Sequence, residues 1–165
     1  MNPCKCGFYP DRTRCNCLPG DISRYLKRIS GPLLDRIDIC TEISPVEYGE
    51  LTGKRENESS EAIRSRVLAA HRRQQERYQK VGIQFNSQLT TRVIQNLCPL
   101  GTEETEIMEQ AFESLRLSAR GYYRIIRVAR TIADLEGSKE IRTPHLLEAV
   151  GYRTMDHNIW EEPFG

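Results

Sequence analysis

Residues 118–137 read SARGYYRIIRVARTIADLEG, and this stretch decides the fold. On a wheel of about 100° per residue, Tyr122, Ile125, Ile126, Val128, Ala129, Ile132, Ala133 and Leu135 fill one half. Arg120, Arg124 and Arg127 gather on the other. Ser118 offers a side-chain oxygen to the first free backbone N–H groups, and Gly137 can take the left-handed conformation that ends a helix. The spacing predicts an amphipathic helix, and its apolar half must be covered by other helices.

Those helices are legible on both sides. Thr143 with Pro144 in the first turn starts a short helix carrying Leu146, Leu147 and Val150. Glu103–Leu115 repeats Ile107, Met108, Ala111, Phe112 and Leu115 on one face, and Thr90 can cap a helix with Val93, Ile94 and Leu97 inward. Glu61–Lys80 brings Ile63, Val67, Leu68, His71 and Tyr78 back to one side. Before it, the polar run GELTGKRENESS over 49–60 lacks periodicity and marks a linker. The reading is therefore mainly α. Residues 1–45 precede a linker at 46–60, a helical bundle spans 61–153, and 154–165 form a tail.

The first 45 residues read differently. The opening twenty are rich in Cys, Gly and Pro and offer no core. Asp21–Ile29 reads as a short helix. Ser30, Gly31 and Pro32 break it and start another, and Ile37–Ile43 alternates as a strand. One strand and two short helices cannot bury a sheet. This segment is read as the end of an α/β core with its other strands elsewhere.

At 165 residues, 38% hydrophobic and 28% charged, the composition fits a soluble globular protein. No run approaches the roughly 18–20 apolar residues of a membrane span, and MNPCKCG is no leader, so a cytoplasmic location is expected. The net charge of +1 conceals segregation. Six basic residues face two acidic ones over 61–80, five glutamates face Arg116 alone over 102–116, and 118–130 hold four arginines and no acid.

Cys4, Cys6, Cys15 and Cys17 form two C-x-C pairs around an eight-residue loop. Four thiolates suit the tetrahedral preference of Zn²⁺, and a metal explains how a segment without a core stays folded. Two disulfides or four unpaired thiols are the alternatives. Cys40 and Cys98 lie in apolar contexts that suit core positions. Arg36, at a helix-to-strand junction, is placed either to reach a phosphate on a neighbouring subunit or to pair with Asp35 or Asp38. Arg120 stands in a first helical turn, where free N–H groups already favour an anion, or is a solvated cation on a basic face. Arg124 and Arg127 extend that stripe toward a phosphate-backbone or partner surface. No nucleophile triad is legible, and no G-x-x-x-x-G-K-[ST] loop is present to cradle phosphates.

Taken together, MNPCKCG, the second cysteine pair, RYLKRISGPLLDRIDI, LSARGYYRIIRVARTIADLEGS and HLLEAVGYR resemble the C-terminal third of the magnesium-chelatase-like (ComM-type) AAA+ family from Asn2 to about Arg153. The resemblance implies a remnant of an AAA+ α/β core followed by the helical lid of a parent ATPase that uses ATP and Mg²⁺. It implies that Asn2 is the sensor 1 residue, Arg36 an arginine finger acting in trans and Arg120 the sensor 2 arginine. Partners implied are other subunits of a homo-oligomeric ring, a hexamer by family habit, and DNA. Two positions depart from the family pattern: Lys5 stands where proline is usual between the first cysteines, and Cys40 where histidine or an apolar residue is expected. Two other functions compete with a DNA branch-migrating motor. One is a motor that remodels a metal-chelating partner, and the other is a stand-alone zinc-bearing module binding nucleic acid or protein. Few aromatics flank the basic stripe, so no single-strand stacking platform is evident there.

Overall fold

A computed structural model describes residues 2–34, 36–41, 43, 46, 48–52 and 57–156. It is mainly helical: α1 Pro19–Leu26, α2 Gly31–Leu34, α3 Tyr48–Thr52, α4 Ser60–Tyr78, a 3₁₀ turn Asn86–Gln88, α5 Thr91–Leu97, α6 Thr102–Ser114, α7 Ala119–Glu136 and α8 Thr143–Asp156. The chain divides into two compact units, Met1–Thr41 with Gly151–Gly165 and Glu42–Val150. No described helix is long and apolar enough to cross a membrane.

In the second unit α7 is the central element, packing on α4, α5 and the 3₁₀ turn. Its ends form as the sequence dictates. The Ser118 hydroxyl accepts from the Gly121 N–H at 3.0 Å, and Gly137 closes the helix at φ 90°, where its N–H donates to the Ala133 carbonyl. Ser59 caps α4 by accepting from Ala62, and Thr90 caps α5 by accepting from Val93. Ile125, Ile126, Val128, Ala129 and Ala133 of α7 are buried, as are Ile94 of α5, Met108 and Ala111 of α6, and Leu146 and Ala149 of α8. Glu104 of α6 accepts from the Thr143 N–H at 3.0 Å and its hydroxyl at 3.1 Å, so a carboxylate from one helix satisfies the free donors that open another.

The inward face of α4 departs from the sequence reading. Ile63, Val67 and Leu68 are exposed, whereas Ala70, Gln74 and Tyr78 are buried. The reason is polar. Asp134, fully buried although it lies on the arginine-bearing side of α7 opposite Ile125 and Ala129, pairs with Arg77 of α4 and with Arg130 at 3.1 Å. Asn86 donates to Asp134 at 3.0 Å and to Thr131 at 2.9 Å, while accepting from the Tyr78 hydroxyl at 2.5 Å. The Gln74 carbonyl accepts the Asn86 N–H at 3.1 Å, and Arg73 donates to the Asp134 carbonyl at 2.8 Å. The C-terminal half of α4 is thus fixed against α7 by a hydrogen-bonded charge network. Burial costs the Arg77 guanidinium, yet its bonds to Asp134 more than offset this and raise its pKa. For Arg130 burial wins and the pKa falls, although its head donates to the Ser138 and Lys139 carbonyls.

In the first unit, α1 places Ile22 and Leu26 against Cys4 and Cys15, with Tyr9 and Cys17 at the margin of this small core. The strand expected over 37–43 is not formed among the described residues. Backbone groups there are satisfied by other means: Arg153 of α8 donates to the Leu34 carbonyl at 3.2 Å and the Ile37 carbonyl at 3.0 Å, and the Cys40 N–H donates to the Tyr152 carbonyl at 3.4 Å. With no ladder to join, Ile39 and Ile43 stay exposed. The terminal helix accordingly runs much further than the short element expected from Thr143.

Candidate metal and nucleotide-contact sites

The four cysteines at the N-terminal end converge. Cys4, Cys6, Cys15 and Cys17 sulfurs all lie within 4.8 Å of one another, in a group that can hold a metal ion. Cys4 is 3.3 Å from Cys6 and 3.8 Å from Cys15, and Cys6 is 3.5 Å from Cys15. A tetrahedron with metal–sulfur bonds of about 2.3 Å has sulfur–sulfur edges of about 3.8 Å, so these separations fit a four-thiolate centre. All six cysteines are free thiols, and the disulfide alternative therefore does not hold.

The backbone around the sulfurs favours negative charge. Burial opposes ionisation of Cys4, but main-chain groups of Tyr9 and Gly7 and the thiol of Cys6 bond to it and bring its pKa down to about 6. Beside Cys4, Cys15 and Cys17 resist ionisation. Cys15 receives a main-chain bond from Cys17, yet burial and its thiol neighbours push it up to about 11. A cation held among the four sulfurs would stabilise their thiolate forms. Gly7 makes the tight turn between the first pair and the loop, at φ 83°, and its N–H donates to the Cys4 carbonyl at 3.2 Å.

Asn2 lies beside this turn. A Cβ on Gly7 would sit 3.0 Å from the movable end of the exposed Asn2 side chain, so glycine is favoured there for its left-handed backbone conformation. Asn2 is exposed. Arg36 is exposed just after α2, its N–H bonded to the Leu33 carbonyl, and its side chain pairs with no described carboxylate. Pairing with Asp38 is therefore not what holds it, while Asp35 lies outside the described residues. Arg120 is exposed in the first turn of α7 and pairs with neither Glu103 nor Glu148.

The basic stripe expected along α7 is shorter than its periodicity suggests. Arg124 is buried and Arg127 is half-buried, so of the three only Arg120 stands open to solvent. The structure thus brings the four thiols together with Asn2 at their edge, and sets Arg36 and Arg120 apart as exposed cations without a carboxylate partner among the described residues. His145 carries no sequence signal that distinguishes it; it is buried, accepts the Arg142 N–H at 2.9 Å and bonds to Glu136, which makes it a structural support for the start of α8.

Fold and site together define a helical protein that carries a four-cysteine, metal-type knuckle ahead of a bundle centred on one arginine-bearing helix. The chain belongs to the family described as magnesium chelatase, subunit ChlI C-terminal, which matches residues 57–153, and the family described as magnesium chelatase, subunit ChlI, matches residues 1–51. Over 157 residues it is 42% identical to competence protein ComM of Haemophilus influenzae, 41% to protein YifB of Salmonella typhimurium and 40% to protein YifB of Escherichia coli. Each match covers 94% of this chain and 30% of the relative, so the chain spans less than a third of the proteins it resembles.

Proposed function

We propose that this chain is the C-terminal part of an AAA+ ATPase, in which residues 1–45 end the α/β core and residues 61–153 form the lid. Asn2 acts as sensor 1 and orients the attacking water. Arg36 is the finger that reaches the nucleotide of the next subunit in a homo-oligomeric ring, a hexamer by family habit, and Arg120 is sensor 2. The parent uses ATP and Mg²⁺ and works on DNA in the cytoplasm, and Walker loops outside this sequence supply phosphate binding. The observation that carries the reading is the exposure of two cations at element junctions, Arg36 after α2 and Arg120 in the capped first turn of α7, neither neutralised by a described carboxylate. An unpaired arginine beside free helical N–H groups costs dipole energy, and a bound phosphate would offset that cost.

Cys4, Cys6, Cys15 and Cys17 hold one Zn²⁺ in this reading. The metal supplies folding free energy to a segment whose buried core is two thiols and two aliphatic side chains, and takes no part in hydrolysis.

The test is ATP turnover and nucleotide affinity of the full-length protein. Arg36→Ala should lower turnover by about 10³ to 10⁵ with nucleotide affinity nearly unchanged, because a finger stabilises charge that develops only in transfer. Arg120→Ala should weaken both binding and turnover. Wild-type turnover in Arg36→Ala would remove the finger from the mechanism. Stimulation of hydrolysis by DNA supports a DNA motor, whereas stimulation only by a chelating protein partner would favour the other motor.

A further inference from the structure

The loop between the two cysteine pairs has a surface that zinc binding alone does not require. Between Lys5 and Arg14 it exposes Lys5, Arg12 and Arg14 against one acid, Asp11. That carboxylate is occupied within the loop, accepting from the Thr13 N–H at 2.9 Å and the Thr13 hydroxyl at 2.6 Å. The arginines are stacked on rings: the Arg14 guanidinium lies 4.2 Å from the centre of Phe8, and that of Arg12 lies 4.9 Å from the centre of Tyr9. Arg28 adds a third such pair, 5.4 Å from Tyr25 on the adjoining helix. All three pairs fall within residues 8–28. Phe8 is 40% exposed.

We propose that this knuckle loop is a binding surface for single-stranded nucleic acid. An exposed aromatic ring next to a guanidinium plane is a platform on which an unpaired base can stack, and Lys5 and the Arg14 head reach the phosphates on either side. Duplex recognition fits less well. The loop has no helix or ribbon to enter a groove, and α1 is only eight residues long. Tyr9 packs on the small core while Phe8 does not, so Phe8 is the ring placed to receive a base. The four-thiol centre fixes the ends of the loop and so pre-organises the platform. Stacking residues, lacking along α7, are present here. The proposal rests on the DNA part of the proposed function for its place in a motor, but not on the ATPase chemistry.

The experiment titrates the full-length protein, without nucleotide, into fluorescein-labelled oligothymidine at several salt concentrations, with bound metal and basal ATP hydrolysis measured on every variant. Phe8→Ala should weaken binding about tenfold with an unchanged salt slope, since it removes stacking and no charge. The double variant Lys5→Gln with Arg14→Gln should flatten the slope of log affinity against log salt by about 1.4, at about 0.7 for each phosphate no longer neutralised. Metal content and basal hydrolysis should match the parent in both, which separates this surface from the nucleotide site. Arg24→Ala, an exposed arginine outside the loop, should bind as the parent does. Parent affinity and slope in the loop variants would overturn the proposal, as would no strand binding by the parent at low salt. Binding of polyglutamate that competes with the strand and disappears in the same variants would reassign the surface to an acidic protein partner.

Discussion

The knuckle unit and the helical bundle hold themselves together by opposite means. In the knuckle, the buried cluster is Cys4, Cys15, Ile22 and Leu26, with too little apolar area to offset the entropy of ordering the loop. In the proposed reading its order comes from a metal that joins the four sulfurs. The bundle instead buries aliphatic side chains from several helices and adds a charge network where α4 meets α7. A short segment can present chemistry at its surface when a local centre replaces a core, while a larger bundle can hold an exposed arginine in a defined place because everything behind it is packed.

The bundle side of this contrast breaks most readily at Asp134. Asp134→Ala leaves the buried Arg130 and the half-buried Arg77 without their shared carboxylate, and should destabilise the bundle by about 3–5 kcal/mol, measured by urea unfolding. A loss within the error of the measurement would mean that the network is solvated and that aliphatic packing alone holds α4.

A smaller effect should appear at alkaline pH. Burial raises the Tyr78 phenol from 10.0 to about 12, against the opposing influence of Arg77. The unfolded phenol therefore ionises first. The stability this group supports is fully present below pH 10 and is lost as pH rises toward 12. Tyr78→Phe should flatten that part of the stability profile; an unchanged profile would assign the alkaline loss to other groups. Smaller again is the Ser118 cap: Ser118→Ala should cost about 1 kcal/mol, and since it loosens the turn that bears Arg120, nucleotide affinity should fall more than it does in Thr90→Ala at the equivalent cap of α5.

Much of this was legible in the sequence where the cause is local. The Ser118 cap, the Gly137 stop and the buried line from Ile125 to Ala133 follow from periodicity and cap chemistry within one segment, and the two C-x-C pairs announced a four-ligand cluster. The rest depends on partners distant in sequence. Asp134 reads as a solvated carboxylate on the polar side of the α7 wheel until Arg77, 57 residues away, is beside it. Gln74 is buried in preference to Ile63 because Asn86 offers it an N–H, which no wheel displays. Arg124 lies on the polar side of the wheel and is nevertheless covered, because a helix in the middle of a bundle is enclosed on more than one side. The strand at 37–43 failed for the same reason in reverse: alternation provides a face but not a neighbouring strand, and α8 took the backbone groups instead.

The contrast between the two units is tested most directly by amide hydrogen exchange of the full-length protein, with bound metal and after chelation. Amides of Cys15, Ile22 and Leu26 should lose protection when the metal is removed, while those of Ile125, Ala129 and Ala133 keep theirs. Protection lost in both regions together, or in neither, would contradict the account that a thiol-bound metal holds the knuckle and packing holds the bundle.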